Sequence, residues 1–224
     1  MRWNPCHLPS IRQQMAHLMN DPATPLYALL PEDRVEFASL AHQLSAADLY
    51  WLTPAMTDLS MSSGQKLPDV RWVESNSPSP HGLAVFDGGV GAVEFGGSQL
   101  PVDALSWGPS PKGLRLWQWV RRDWVEAMLG LGEGQAATWM PSLIPAQGNT
   151  LPVSCETTPT DKALRTVVAA LVSAWTIMGQ PHLVDRSQVY PDGEERRALA
   201  LVEESVTLVD LHDRLVPQVR HARS

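Results

Sequence analysis

The chain has 224 residues, of which 44% are hydrophobic and 18% charged, and its formal net charge is −7. This length and composition are typical of one large or two small domains with a substantial core, and they exclude a collagenous, coiled-coil or disulfide-stapled protein. The acidic balance also argues against non-specific binding of nucleic acid, because that binding depends on neutralising phosphate charge.

The two cysteines, Cys6 and Cys155, stand far apart and form no Cys-x-x-Cys pair. The sequence therefore predicts neither a disulfide framework nor a structural zinc site. The N-terminal residues lack the apolar region of a signal peptide, and the apolar run 166–179 is shorter than the about 18 residues that a membrane span needs. We expect a cytoplasmic protein without membrane contact.

The first part of the chain is predicted to begin with helices. Apolar residues at helical spacing indicate helices over 10–20 and 32–44. Prolines interrupt the rest of segment 1–31, which we expect to be irregular apart from the first helix. The apolar run 48–52 then predicts a buried strand.

A helix start follows this strand. Thr53 is typical of an N-cap and Pro54 of the first helical position. We expect the helix to end near Ser62, with Gly64 as a left-handed C-cap. The proline- and serine-rich residues 65–80 predict a loop.

The middle of the chain is predicted to be rich in strands. The apolar run 82–86 leads into Asp87-Gly88-Gly89, a hairpin-type turn from which 93–95 is expected to return.

A second hairpin is predicted further along, with strands 102–107 and 114–120 joined by a tight connection containing glycine and proline. A short helix over 122–131 and one strand near 150–154 are expected after it.

The C-terminal part contains the most regular helical pattern in the chain. Residues 161–179 are apolar nearly all round, which is typical of a helix at the centre of a core. A charged helix over 193–204 and a final strand over 206–211 follow. The order of elements predicts an α+β fold with a largely antiparallel sheet, formed by a single domain over 32–211 and followed by a mildly basic tail over 212–224.

Asp87 is a candidate site residue because it lies where a strand runs into a glycine-rich turn. Gly88, Gly89 and Gly91 resemble half of a phosphate-binding loop, but glycine is missing from the last position of the dinucleotide fingerprint and no Walker lysine follows. Aspartate also stabilises turns by accepting hydrogen bonds from nearby backbone amides. A structural role and a ligand-binding role for Asp87 are both open.

Sequence patterns for catalysis are not found. The seven histidines form no zincin motif, and no Gly-x-Ser-x-Gly elbow occurs. His212 and Asp213 are neighbours, so on a strand they point to opposite faces. We therefore name no catalytic residue, no metal site and no cofactor.

Tryptophan is unusually frequent, with nine residues against three each of Phe and Tyr. In a strand over 114–120, alternation places four side chains on one face: Arg115, Trp117, Trp119 and Arg121. If exposed, this face suits planar or anionic ligands or a protein partner. If buried, the indoles fill a core and the arginines close its edges.

Four segments carry a resemblance to a known group of proteins: 48–51, 85–91, 104–109 and 183–186. They resemble an uncharacterised family of actinobacterial and actinophage proteins, some of them encoded on mobile elements. The resemblance supplies no activity, cofactor or catalytic residue.

Three functions follow from these observations. The first is a non-catalytic interaction or regulatory protein whose partner is another protein. The second is an enzyme for a small ligand, with Asp87 and the Arg/Trp face in its cleft. The third is nucleic-acid binding through the same face, which the net charge disfavours. The oligomeric state is not predicted.

Overall fold

The computed structural model describes residues 4–21, 23–24, 34–67, 74–152, 161–191, 193 and 204–212. Its helices are α1 (Leu8–Asn20), α2 (Arg34–Ser45), α3 (Pro54–Gly64), α4 (Arg122–Met128) and α5 (Lys162–Met178). Its strands are β1 (Asp48–Leu52), β2 (Gly82–Phe86), β3 (Ala92–Phe95), β4 (Ser98–Pro101), β5 (Ala104–Ser110), β6 (Gly113–Arg121), β7 (Leu143–Pro152), β8 (Val184–Val189) and β9 (Val206–Leu211).

Seven of these strands form one mixed sheet in the order β7-β6-β5-β2-β1-β9-β8. β1 runs parallel to both of its neighbours, β2 and β9, and the remaining neighbours are antiparallel. β3 and β4 form a separate hairpin. The predicted α+β class with a largely antiparallel sheet is confirmed.

Helices cover both faces of the sheet. On one face α1 packs against α2, and the ring of Phe37 in α2 lies 6.3 Å from that of Trp117 in β6. Trp117 pairs with Ser106, so the next residue, Trp107, points to the opposite face. There α3 packs against α5, and the rings of Trp107 and Trp175 are 5.1 Å apart.

The long apolar helix predicted over 161–179 is confirmed as α5. Asp161 is its N-cap and accepts hydrogen bonds from the amides of Ala163 and Leu164. All residues from Val167 to Trp175 are buried. A helix buried on every side in this way needs no polar face, which explains its composition.

Gly64 has a different role from the predicted one. Thr53 caps α3 as expected, accepting a hydrogen bond from the Met56 amide, but Gly64 is the last helical residue and is not left-handed. It is buried against α5 instead. Its missing side chain allows the two helices to approach.

The turn after β2 does not form the predicted hairpin. Gly89 donates to the carbonyl of Phe86 at 2.9 Å, which closes a turn with Gly88 at φ 102°. The chain then leaves the large sheet, because 93–95 lies in β3 and pairs with β4. β2 pairs with β5 instead.

The second predicted hairpin is confirmed as β5 and β6. The expected short helix is α4, and the strand expected near 150–154 is the end of the longer β7. β4 and β8 were not predicted. Residues 194–203 of the predicted charged helix, and the tail beyond His212, lie outside the described residues.

No helix among the described residues is both long enough and apolar enough to cross a lipid bilayer.

Candidate binding pocket at the carboxyl end of β1 and β2

Trp117 and Trp119 are part of the core. Their exposed fractions are 1% and 0%, and the indole N–H of Trp119 donates to the Ser106 hydroxyl at 2.9 Å. The strand is extended as predicted, but α2 covers the face to which Trp117 points. Of the two alternatives that the sequence left open, the buried one holds for both indoles, and they form no exposed stacking surface.

Arg115 lies at the edge of that core and not in a shared cleft with Asp87. Its guanidinium forms an ion pair with Glu36, donates to the Thr150 hydroxyl at 3.0 Å and lies 5.0 Å from the centre of the Trp117 ring. It lines a separate cleft of about 210 Å³ between α2 and the β5–β6 turn. These contacts fit an arginine that closes the edge of a core.

Asp87 and Arg121, in contrast, do come together. They line a cavity of about 350 Å³, which we call the Asp87 pocket, together with Trp51, Val85, Phe86, Gly88, Pro101, Asp103 and Trp124. β1 and β2 are parallel, and the Asp87 amide donates to the carbonyl of Leu52 at 3.1 Å. The pocket thus lies at the carboxyl ends of adjacent parallel strands, a frequent place for ligand sites.

Asp103 is held in the wall of this pocket by its backbone and its side chain. Its amide donates to the carbonyl of Trp119, and its own carbonyl accepts from Phe86, both at 2.9 Å. Its carboxylate accepts a hydrogen bond from the Arg121 amide at 3.1 Å and lies 3.3 Å from the Arg121 guanidinium.

The pKa of Asp103 is raised above its ordinary value. Burial is the main cause, and the nearby charge of Asp123 adds to it. The charge and amide of Arg121 and a hydrogen bond from Trp124 lower the pKa without cancelling the effect of burial. Asp103 therefore keeps a proton more readily than an aspartate in water.

Trp124 supplies the aromatic surface of the pocket. It lies in α4, directly after β6, and its side chain is 37% exposed, whereas the other tryptophans in the described part of the chain are buried or partly buried. The guanidinium carbon of Arg121 lies 4.9 Å from the centre of its ring. The indole already contacts one cation in this structure.

The carboxylate of Asp87 is exposed, and no residue in the described ranges donates a hydrogen bond to it or forms an ion pair with it. With both carboxylates ionised, Asp87, Asp103 and Arg121 give the pocket a net charge of −1. A Cβ at Gly88 would meet no atom within 4 Å, so the mouth of the pocket is open on this side. The pocket can accept hydrogen bonds from a ligand and favours a positive charge.

The pocket has three charged residues and one exposed aromatic residue, and sequence analysis named two of these four. Asp87 and Arg121 were candidates, but Asp103 and Trp124 were not. Trp124 belonged to the apolar side of the predicted helix 122–131, and Asp103 to a predicted strand. The corner between β6 and α4 places Trp124 beside Arg121 and Asp103.

His212 is not among the residues that line the Asp87 pocket, and two polar contacts hold its ring. His212 pairs with Asp185, with 2.9 Å between Nδ1 and Oδ2, and its Nε2 lies 3.3 Å from the carbonyl of Pro181. Both ring nitrogens therefore have partners. No group of three or more His, Cys, Asp and Glu side chains within the described residues is placed to hold a metal ion.

Comparison with known proteins assigns neither a family nor a function. No protein-family model matches the chain, and no curated protein matches it. Among solved structures, the crystal structure of AcrVA2 is similar with a TM-score of 0.43 and 14% sequence identity, covering 93% of this chain and 80% of that one. At this TM-score the similarity supports neither a family nor a function.

Proposed function

We propose that this protein binds a partner protein, and that the Asp87 pocket receives a basic side chain of that partner. The observation that carries the proposal is that one cavity contains the exposed Asp87 carboxylate, which has no ion-pair partner among the described residues, and the exposed Trp124 indole. A carboxylate and an aromatic face are the groups that bind a guanidinium or an ammonium.

The charges in the pocket support a cation over an anion. Arg121 lies against Asp103 and partly neutralises it, whereas Asp87 has no counter-charge among the described residues. A phosphate would meet the Asp87 charge directly, so nucleic acid suits this pocket poorly. The acidic balance of the chain adds a long-range attraction for a basic partner.

An accessory or regulatory role is compatible with a protein that acts by binding. The two buried indoles no longer support that role, because tryptophans inside a core say nothing about partners. The support now comes from Trp124 and Asp87.

The test is an NMR titration of the whole protein with capped arginine, capped lysine and capped glutamate. We expect arginine and lysine to shift the Gly88 amide and the Trp124 indole N–H, and glutamate to leave them in place. Asp87→Asn removes the charge and should weaken cation binding by about tenfold, since a hydrogen bond to a charged group contributes about 1.5–3 kcal/mol.

Trp124→Ala should weaken binding as well, and the matched control Glu94→Gln, an exposed carboxylate outside the pocket, should leave it unchanged. The proposal fails if neither cation shifts the two signals, or if glutamate shifts them equally.

A second function, an enzyme for a small ligand, is favoured by one observation. Asp103, with its raised pKa, shares the pocket with the exposed Asp87. A carboxyl group that keeps its proton can act as a general acid, and a second carboxylate in the same pocket can act as a general base. A substrate turned over by the wild type and by Glu94→Gln, but by neither Asp87→Asn nor Asp103→Asn, would establish this function over simple binding.

A further inference from the structure

β8 is an edge strand with exposed side chains. Its neighbour in the described part of the sheet is β9, and no other described strand pairs with it. The four residues 185–188 are exposed, so both faces of the strand are open there. An edge strand of this kind presents unpaired backbone groups that another strand can bind.

The direction of these backbone groups follows from one hydrogen bond. The His212 amide donates to the Leu183 carbonyl at 3.1 Å, in the same register as the β8–β9 pairs. Hydrogen-bonded and non-hydrogen-bonded pairs alternate in an antiparallel ladder. Asp185, Ser187 and Val189 therefore direct their N–H and C=O groups toward β9.

The remaining residues direct their backbone groups toward the open edge: Val184, Arg186 and Gln188. A side-chain contact agrees with this assignment. Gln188 donates to the hydroxyl of Thr207, its directly opposite residue, at 3.2 Å. Side chains come closest in non-hydrogen-bonded pairs, which are the pairs whose backbone groups face away.

We propose that β8 binds β8 of a second copy of this chain, antiparallel, so that the sheet continues across a two-fold axis. Residues whose backbone groups face the open edge must then lie opposite each other. The two-fold axis therefore passes through the position of one residue and not between two residues. An axis at Asp185 or Arg186 sets that charged residue directly opposite its own copy, and like charges in this position are destabilising.

An axis at Ser187 avoids both repulsions. Arg186 then lies opposite Gln188 of the second copy, and the two Ser187 residues face each other. If the pairing continues one residue beyond β8, Val184 lies opposite Tyr190 of the second copy. The side chain of Tyr190 is 46% exposed in the single chain. The pairing covers this apolar surface.

Charge supports a second copy as the occupant. The strand carries one acidic and one basic residue, Asp185 and Arg186, so two such strands meet without net charge although each chain carries −7. With the axis at Ser187, no two residues of like charge lie directly opposite each other.

Sedimentation equilibrium of the full chain tests the proposal. We expect a monomer–dimer equilibrium that Gln188→Pro shifts to the monomer by at least about tenfold in Kd, because proline removes an N–H that faces the open edge. Gln188→Ala keeps that N–H and should still dimerise. A wild type that stays monomeric at all concentrations, or a dimer that Gln188→Pro leaves intact, overturns the proposal.

A cross-linking experiment tests the register and does not depend on how well Gln188→Pro folds. In a Cys6→Ser, Cys155→Ser background, Ser187→Cys should form an intermolecular disulfide, because non-hydrogen-bonded opposite residues have Cα atoms about 4.5 Å apart. Asp185→Cys lies four residues from its own copy along the ladder and should not cross-link. Cross-linking through Asp185→Cys, or through neither variant, overturns the proposed register.

Discussion

Gly64 of α3 lies so close to Ala169 of α5 that a Cβ atom at position 64 would stand 2.8 Å from the Ala169 carbonyl carbon. The nearest atoms belong to the backbone, so no change of rotamer can relieve the contact. The distance between the two helices on this face of the sheet therefore depends on the absence of a side chain at Gly64.

We expect Gly64→Ala to lower the free energy of unfolding by about 1–3 kcal/mol, the usual range for overpacking. Alanine favours helix over glycine by about 1 kcal/mol, so a stabilised variant would show that the helices separate freely. Urea denaturation measures the change. Ser62→Ala, at an exposed position of the same helix, should differ from the wild type by less than about 0.5 kcal/mol.

The strands with the plainest sequence signal are buried on both faces. β1 and β2 read as short apolar runs because helices cover both sides of the sheet there. β8 was not predicted from the sequence because an exposed edge strand carries polar residues on both faces. β7 was recognised only at its end, since Pro145 and Gly148 are tolerated at the other edge of the sheet but resemble loop residues.

Pairing between distant segments was not predictable in the same way. β1 lies between β2 and β9, and nothing in the local pattern of either partner identifies the other. The same limit applies to Trp117 and Trp119, because both faces of β6 carry apolar side chains. Which face meets solvent is decided by where α2 packs, and that is a property of the fold.

Glu126 is a buried carboxylate that holds the loop after α4. It accepts hydrogen bonds from the amides of Gly134 at 2.9 Å and Ala136 at 2.8 Å, and lies 3.6 Å from the Arg122 guanidinium. Burial by itself raises the pKa of Glu126, but these hydrogen bonds and the charge of Arg122 leave it lowered. The ionised form is thus the form that the folded protein prefers.

We expect Glu126→Gln to lower the free energy of unfolding by about 2–3 kcal/mol at neutral pH, because it removes a charged acceptor of two hydrogen bonds. Glu94→Gln, at an exposed site on β3, is the matched control. A lowered pKa gives stability that is present above the ordinary glutamate pKa and lost as pH falls through the folded value. The difference between wild type and Glu126→Gln should therefore shrink on acidification, and a constant difference would contradict this assignment.

Asp103 should produce the opposite pH dependence. Its pKa is raised, so the folded state holds the proton more strongly than the unfolded chain. Its contribution to the free energy of unfolding is complete below the ordinary aspartate pKa. That contribution is lost as pH rises through the pKa that Asp103 has in the folded protein. Relative to Asp103→Asn, the wild type should therefore lose stability as pH rises through this range.

The measurement for Asp103 is urea denaturation of both proteins at a series of pH values. Subtracting the two curves removes the contribution of Glu126, which is common to both. A difference that is flat, or that changes in the direction expected for Glu126, would show that burial does not control Asp103.

Trp124 and Trp119 provide a direct test of which indole meets solvent. Trp124 is 37% exposed and Trp119 is fully buried. We expect Trp124→Phe to reduce the fraction of tryptophan fluorescence that acrylamide quenches readily, because a quencher must reach the ring.

Trp119→Phe should leave that fraction unchanged and lower the free energy of unfolding by about 1–3 kcal/mol, since it deprives the buried Ser106 hydroxyl of its partner. A larger loss of quenching in Trp119→Phe than in Trp124→Phe would place the binding surface on β6 and not in the Asp87 pocket.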